Sequence, residues 1–363
     1  MKKPPPAARR ARRQRRPRRR LRSYQRRFAH QIRHPLCTGH RLTHVADLRG
    51  GIDLGGTKIQ TAIVSAGGEV LGEARHPTPT SGGPGDVAKA MEAALREAAA
   101  GAGVEPGELQ GVGVGSPGDA DSKTGVVSGA RNLPAWEGSF PLGETLSKAL
   151  GAPVRVGNDV QVATEAEFQL GAGRQFQSLI GVFWGTGVGG GIILDGKPWL
   201  GRGAAGEIGH MVVKRGGAKC PCGRKGCMEA YAGRSAMEAE ARRQHEEGIK
   251  TDLFKLMRKH EKPRLTSGIW QRALDHGDEL AEKLIDRAIE ALGTGVASAV
   301  NLLDPEAVIV GGGLGVRFGE RYMDPLTAEM DKHLFVNERP PAIRVASLGD
   351  LGGAIGASLL FSS

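Results

Sequence analysis

Side chains that could bind a metal ion lie within one short stretch of this 363-residue sequence. His210 is followed by Cys220, Cys222 and Cys227, which are three of the four cysteines in the chain. Zinc is commonly held by three thiolates and one imidazole in a tetrahedron. The alternatives are incidental thiols or a disulfide, but cysteines as close as Cys220 and Cys222 can pair only with strain. Because four protein ligands leave no open coordination position, we predict a structural zinc site.

Two carboxylates, Glu207 and Glu229, flank this group and are not needed as ligands. If one ring nitrogen of His210 binds the metal, the other nitrogen is free to meet a second molecule. Glu207 lies three residues before His210, a spacing that places both side chains on one helix face. The three side chains could surround a polyhydroxylated substrate. Alternatively, both carboxylates support the metal ligands.

A polar pair, Asn158 and Asp159, ends a short apolar strand predicted at 153–160 and precedes a predicted helix. Asp159 could be an ordinary helix cap. It could also be a general base that takes a proton from a substrate hydroxyl, aided by Asn158. Phosphoryl transfer requires mainly positioning, charge stabilisation and one such carboxylate. The residues alone leave both roles open.

Glycine-rich turns follow several predicted strands, and their exposed backbone N–H groups could bind phosphate oxygens. None of them matches the P-loop pattern or the glycine pattern of dinucleotide-binding folds. Two hairpin tips of one design, together with a third loop, favour a nucleoside triphosphate in a cleft between two domains. The candidate residues are Gly55, Gly56, Thr57, Lys58, Gly185, Thr186, Gly187, Gly312 and Gly313.

Asp53 ends the first predicted strand, beside the turn at 55–58. It could orient Mg²⁺ or its waters near the phosphates, because Mg²⁺ prefers one or two carboxylates together with phosphate oxygens. It could equally be an Asp that caps the turn. A further candidate for substrate binding is Asn132, at the end of a strand and loop predicted at 125–133.

The two hairpins repeat one pattern, since GIDLGGTKIQTAIV at 51–64 aligns without gaps with GVFWGTGVGGGIIL at 181–194. Such a duplication predicts two similar α/β domains that face each other. We expect an N-terminal domain at 49–155 and a larger domain at 156–345. A C-terminal helix in 346–363 is expected to pack back on the first domain.

The net charge of +11 comes from the first 48 residues, which carry sixteen Lys or Arg and one Asp, so that the rest is net negative. Such a dense block of like charge predicts a disordered extension. It could bind nucleic acid non-specifically, act as a targeting segment or be dispensable. Over the whole chain, an aromatic content of 4% argues against a base-stacking surface. No apolar run reaches the ~20 residues of a membrane span, and the unpaired cysteines fit a reducing cytoplasm.

Four segments together resemble the ROK family of bacterial sugar kinases, repressors and uncharacterised proteins. They are GIDLGGTK, VGND, EIGH and CPCGRKGCMEAY, and the resemblance extends over about residues 50–360. It implies an actin-like ATPase fold, a duplicated ribonuclease H-like α/β architecture with the sugar in a cleft between two domains. Within the family, the chain is most similar to ATP-dependent glucokinases.

The resemblance also implies roles for individual residues. Asp159 matches the base that activates the 6-hydroxyl of D-glucose, and the glycine turns match the ATP-binding elements. The sugar contacts match Asn158, Asp159, Glu207, His210 and Glu229. The zinc ligands match His210, Cys220, Cys222 and Cys227.

Other functions within the family remain open. A kinase for another hexose or an N-acetylhexosamine would differ in the pocket walls around 115–137, and polyphosphate could replace ATP. A sugar-responsive regulator would need an N-terminal helix-turn-helix, for which residues 1–48 are too short and too rich in Arg and Pro. The apolar helix at 282–303 leaves room for a homodimer interface.

Overall fold

The computed structural model describes residues 47–130 and 133–362; the predicted basic extension up to residue 46 and Asn132 lie outside the described residues. The strands are β1 Arg49–Leu54, β2 Lys58–Val64, β3 Val70–Pro77, β4 Gly111–Ser116, β5 Asp119–Asp121, β6 Val126–Ser128, β7 Ser139–Phe140, β8 Val154–Asn158, β9 Leu179–Trp184, β10 Val188–Leu194, β11 Lys197–Pro198, β12 Ala307–Gly311 and β13 Ala342–Val345. The α-helices are α1 Pro84–Gly101, α2 Leu142–Leu150, α3 Asp159–Gln169, α4 Glu229–Ala232, α5 Arg234–Glu246, α6 Leu253–Lys259, α7 Ser267–Asp275, α8 Glu279–Leu303, α9 Gly312–Asp331 and α10 Gly352–Ser358.

Two five-stranded sheets have the same topology, in the orders β3-β2-β1-β4-β8 and β11-β10-β9-β12-β13. In each sheet an antiparallel hairpin is followed by two parallel strands. The ungapped alignment of 51–64 with 181–194 places β1 on β9 and β2 on β10, end to end. The predicted duplication of an α/β unit is therefore confirmed at the level of single strands.

The first sheet packs on helix α1 through one face and on the C-terminal helix α10 through the other. Helix α10 lies very close to β1 and β4, because a Cβ at Gly51 would be 1.8 Å from the Ala354 carbonyl oxygen. A Cβ at Gly113 would be 1.7 Å from the Ala357 carbonyl oxygen. The glycines of the strands and the small residues of α10 thus permit a backbone-to-backbone contact that larger side chains would prevent.

Helix α3 connects the two sheets. On one side it contacts α10, where a Cβ at Gly356 would be 2.1 Å from the carbonyl oxygen of Val162. On the other side Thr164 packs against Gly181 of β9 and Gly191 of β10. The residue at the start of α3 therefore lies where the first sheet ends and the second sheet begins.

Two predicted elements differ in the structure. The sequence YAGRSAMEAEARRQHEEG at 231–248 predicts a helical segment, which the structure divides at Gly233 into α4 and α5. The glycines at 311–315 do not form an open loop, because α9 begins at Gly312 directly after β12. Gly312 has a φ of +79°, a conformation that favours glycine, at this strand-to-helix junction.

The long apolar helix predicted at 282–303 ends at Leu303, and its C-cap residue Asp304 is in the left-handed conformation. Within residues 47–130 and 133–362, no helix is both long and apolar enough to cross a membrane.

Candidate active site

Asp159 is the first residue of α3 and follows directly on β8, the edge strand of the first sheet. Burial, followed by the negative charges of Asp53 and Glu207, raises the pKa of Asp159 from 3.8 to about 7. One carboxylate oxygen accepts a hydrogen bond of 2.9 Å from the Val160 amide. A Cβ at Gly115 would lie 3.4 Å from the Asp159 Cα, so the adjoining strand also approaches closely. A carboxyl with a pKa near neutrality, where two sheets meet, can act as a general base.

The helix cap is Asn158, not Asp159. Its side-chain oxygen accepts hydrogen bonds from the amides of Val160 at 3.0 Å and Gln161 at 3.2 Å. Asn158 therefore occupies the capping position, and the Val160 amide also donates to the Asp159 carboxylate. The amide nitrogen of Asn158 remains a potential donor.

The turn between β1 and β2 is the first glycine hairpin. The Gly55 amide donates to the Lys58 carbonyl at 2.9 Å, and the Thr78 hydroxyl donates to the Gly55 carbonyl at 2.6 Å. The Lys58 ammonium lies 3.2 Å from a carboxylate oxygen of Asp350, which precedes α10. The tip is thus fixed by residues from two other parts of the chain. Gly56 and the exposed Thr57 complete the turn.

Asp53 lies in β1 directly before this hairpin. Burial raises its pKa to about 6, although the positive charge of Lys58 lowers it. A Cβ at Gly353 would lie 2.6 Å from the Asp53 carboxyl carbon, so the start of α10 closes over this side chain. A desolvated carboxylate beside a glycine hairpin fits the prediction of a group that orients Mg²⁺.

The turn between β9 and β10 is the second glycine hairpin, and it lies against the strand-to-helix junction of α9. A Cβ at Gly185 would lie 3.9 Å from the Gly313 amide nitrogen, so two of the predicted phosphate elements meet. The Glu229 carboxylate accepts a hydrogen bond of 2.9 Å from Val188. A Cβ at Gly187 would lie 2.2 Å from this carboxylate, so a larger residue there would displace the Glu229 side chain.

The predicted zinc ligands form one cluster. The ligand atoms of His210, Cys220, Cys222 and Cys227 all lie within 4.8 Å of one another. His210 Nδ1 is 3.8 Å from Cys220 Sγ, and Cys222 Sγ is 3.7 Å from Cys227 Sγ. Ligands of a tetrahedral zinc with bonds of ~2.3 Å lie about 3.8 Å apart. These residues therefore fit a four-coordinate zinc ion.

The two carboxylates that flank this cluster occupy different positions. Glu207 is exposed, and one of its oxygens lies 3.8 Å from His210 Nε2, the nitrogen that points away from the cysteines. Glu229 has one oxygen 3.7 Å from Cys220 Sγ and the other on the Val188 amide. Glu207 thus faces outwards, as expected of a substrate ligand, whereas Glu229 also links the metal cluster to the second hairpin.

Sequence reasoning did not find Arg234 and Asp350, which contact the hairpin residues Thr186 and Lys58. An Arg and an Asp in these segments carry no motif, and the partners are far away in the chain. The internal duplication locates the two hairpins but not the residues that pack on them. Only the tertiary structure shows which residues fix the tips.

Comparison with known proteins identifies the family. The model of the ROK family matches residues 49–363. The glucokinase of Thermotoga maritima is 34% identical over 277 residues, which cover 76% of this chain and 84% of that protein. The N-acetyl-D-glucosamine kinase of Escherichia fergusonii is 31% identical over 325 residues, which cover 86% of this chain and 99% of that protein.

A solved structure agrees with these sequence relationships. The ROK family glucokinase of Streptomyces griseus, crystallised with glucose and AMPPNP, matches with a TM-score of 0.75 and 33% identity. The match covers 86% of this chain and 98% of that one. The predicted actin-like ATPase fold is thereby confirmed, and the chain belongs to the ROK family.

Proposed function

We propose that this protein is an ATP-dependent sugar kinase that phosphorylates the 6-hydroxyl of D-glucose, with Asp159 as general base. The observation that carries the proposal is the placement of Asp159 at the start of α3, with its pKa raised to about 7. In addition to burial, the charges of Asp53 and Glu207 raise the pKa of Asp159, and these two residues belong to different parts of the proposed site. Asp53 adjoins the first glycine hairpin, and Glu207 adjoins the metal cluster.

In the proposed reaction, Asp159 accepts the proton of the sugar 6-hydroxyl as the oxygen attacks the γ-phosphorus. The bond from that phosphorus to the bridging oxygen breaks, and ADP leaves with the electron pair. The N–H groups of the two hairpins would bind the phosphates through Gly55, Gly56, Thr57 and Lys58 on one side and Gly185, Thr186 and Gly187 on the other. The start of α9, with Gly312 and Gly313, adds the N-terminus of a 20-residue helix.

The sugar would lie between Asp159 and the metal cluster. Glu207 and the Nε2 atom of His210 would bind hydroxyl groups from one side, and the free amide nitrogen of Asn158 would donate from the other. Glu229 is proposed as a further contact, with part of its hydrogen-bonding capacity already used by Val188. Asn132 remains a candidate on the basis of the sequence.

Two metals are proposed alongside the substrates. The Cys₃His cluster would hold zinc with all four positions filled, so that the ion fixes the orientation of His210 and takes no part in the chemistry. Mg²⁺ would accompany the nucleotide near Asp53 and offset the charge of the phosphates.

The decisive experiment is a coupled assay of ADP release with ATP and a panel of sugars. The panel contains D-glucose, D-mannose, N-acetylglucosamine, N-acetylmannosamine and N-acetylgalactosamine, and polyphosphate is tested as an alternative donor. We expect the highest kcat/KM with ATP and D-glucose. Sugar binding without ADP release from any of these pairs would refute the kinase.

A second candidate is a kinase for another hexose or an N-acetylhexosamine. The similarity to an N-acetyl-D-glucosamine kinase, at 31% identity, favours keeping this alternative. It uses the same Asp159 chemistry and differs only in the walls that accept the 2-substituent, so the same panel separates the two. A sugar-responsive regulator would not require a base poised near neutral pH.

We further propose that each chain has two lobes, at 49–155 and 156–345, and that the C-terminal segment 346–363 packs back on the first lobe. Two such chains are proposed to form a homodimer. Leu302 at the end of α8 is 80% exposed and Phe335 is 90% exposed, the two largest exposed fractions among the large apolar side chains of the described residues. Asn301 accepts a hydrogen bond from the Phe335 amide, so the two exposed residues lie near each other. Light scattering on the wild type and on Leu302→Ser would test the dimer. The thiol ligands suit a cytoplasmic location.

A further inference from the structure

The second glycine hairpin is contacted from the side by the start of helix α5. The amide of Arg234 donates to the Gly185 carbonyl at 3.1 Å, and the amide of Ser235 donates to the Thr186 carbonyl at 3.0 Å. These bonds fix the backbone of the hairpin tip. On the other side of the tip, Glu229 accepts from the Val188 amide. The segment that follows Cys227 thus forms hydrogen bonds with both ends of the hairpin tip.

The side chain of Arg234 adds a third bond to the same tip. Its Nη2 atom donates to the Thr186 hydroxyl oxygen at 2.8 Å, and its Nη1 atom donates to the Leu265 carbonyl at 3.1 Å. A guanidinium group can only donate, so the Thr186 oxygen must be the acceptor. The hydroxyl hydrogen of Thr186 is then left to donate to a third group. An anion beside the hairpin is the natural acceptor.

The charge of Arg234 is not neutralised by these contacts, since both of its side-chain hydrogen bonds go to uncharged oxygens. The side chain is also half-buried. Burial, followed by the neighbouring charge of Arg264, lowers the pKa of Arg234, although the negative charge of Glu238 raises it. The Arg234 guanidinium therefore places a positive charge next to the turn proposed to bind phosphate. A polyanion bound at this turn would offset that charge.

We propose that Arg234 is a positioning residue for the nucleotide, which orients the Thr186 hydroxyl and the hairpin tip towards the phosphates of ATP. This inference rests on the proposed kinase function for the identity of the anion. Arg234 acts through Thr186 and need not touch the substrate itself. Its loss should reduce nucleotide affinity and leave sugar affinity unchanged.

The test measures binding by calorimetry, with ADP, AMPPNP and D-glucose as probes. We expect Arg234→Met to weaken ADP and AMPPNP at least about tenfold, as the loss of one hydrogen bond to a charged group would. The dissociation constant for D-glucose should stay within about twofold. Arg243→Met is the matched control, because Arg243 lies on the same helix and its side chain bonds to the carboxylates of the partly buried Glu240 and the exposed Glu247, away from the hairpin.

A double-mutant cycle tests whether Arg234 acts through Thr186. We expect Thr186→Val to weaken ADP to a similar extent and the double variant to be no worse than the single ones. Arg234→Lys keeps the charge but cannot bond both oxygens, so it should recover only part of the affinity. It also replaces Arg234→Met if that variant does not fold.

Unchanged ADP affinity in Arg234→Met, or losses that multiply in the double variant, would overturn the proposal. An equal loss of ADP and D-glucose affinity would also overturn it, since that indicates a general structural role. The kinase proposal is tested separately by the wild type. If no sugar supports ADP release but ADP binding still depends on Arg234, the kinase fails and Arg234 keeps its nucleotide role.

Discussion

Replacing Asp159 with Asn tests the mechanism most directly. The substitution keeps the size of the side chain and an oxygen that can accept from the Val160 amide, as the carboxylate does at 2.9 Å. It removes the proton acceptor. A general base contributes roughly 10²–10⁴-fold in rate, or about 3 to 5 kcal/mol. We expect kcat to fall by that factor while D-glucose and ADP still bind.

The raised pKa of Asp159 predicts the pH dependence of the wild type. The base acts only when ionised, and its pKa is about 7 because of burial and then the charge of Asp53. We therefore expect kcat/KM to fall about tenfold between pH 8 and pH 6, since kcat/KM reports groups of the free enzyme. The residual activity of Asp159→Asn should not show this inflection.

The same pKa predicts that the variant is more stable than the wild type at alkaline pH. A carboxyl whose folded pKa is raised binds protons more tightly in the folded chain, so its contribution is complete below the unfolded value near 3.8 and is lost as the pH rises through about 7. Asn does not titrate. A rise from 3.8 to about 7 corresponds to at most roughly 4 kcal/mol, less the screening of a half-buried group.

The measurements are steady-state kinetics from pH 5.5 to 8.5 and thermal unfolding at pH 4.5 and 8. Glu165→Gln, on the same helix, controls for kinetic effects of removing a charge from α3. Turnover of Asp159→Asn within tenfold of the wild type would remove this residue from the mechanism. A variant that is less stable than the wild type at pH 8 would show that the carboxylate is not destabilised by its site.

Three further predictions concern the metal, a buried carboxylate and the basic extension. We expect one zinc per chain by elemental analysis, with Cys222→Ser losing the metal, melting lower and binding D-glucose more weakly. Replacing the fourth cysteine, Cys37 of the basic extension, with Ser should keep all three properties. Glu167 on α3 is only 3% exposed, and its carboxylate accepts hydrogen bonds from the amides of Ala172, Ser347 and Leu348. We expect Glu167→Gln to lower the free energy of unfolding by about 2 kcal/mol or more in a denaturant titration, whereas Glu165→Gln should not. A chain that begins at Asp47 should keep the kcat and KM of the full-length protein, and a large loss of activity would show that the extension is not dispensable.

The fold was predictable because short, local sequence patterns indicate its duplication. A strand with little alternation of apolar and polar residues, a glycine turn and a second strand recur at 51–64 and 181–194. Hairpins of this kind are determined by residues close together in the sequence. The division of the helix at Gly233 and the start of α9 at Gly312 were not predictable in this way. Both depend on packing. The Gly312 junction lies against the Trp184 backbone of the neighbouring strand, and a Cβ at Gly233 would lie 3.4 Å from the Gly187 Cα of the second hairpin.

The site was predictable where its chemistry needs particular residue types at a fixed spacing. Three cysteines and a histidine within eighteen residues predict a metal cluster, and the structure brings their ligand atoms within 4.8 Å. The pair at 158–159 was ambiguous, because Asn and Asp both cap helices. Only the structure assigns the cap to Asn158 and leaves Asp159 to be desolvated between two sheets.

Glu229 shows why the separate motifs form one site. From the sequence, the cysteine cluster and the glycine hairpins belong to different tasks, one near the sugar and one near the phosphates. In the structure one oxygen of Glu229 lies 3.7 Å from Cys220 Sγ and the other accepts from Val188 at 2.9 Å. A side chain with both oxygens engaged cannot move without moving the cluster or the hairpin. The cysteine loop therefore contacts the second hairpin as well as holding His210, and we expect both proposed substrate sites to depend on this one short segment of chain.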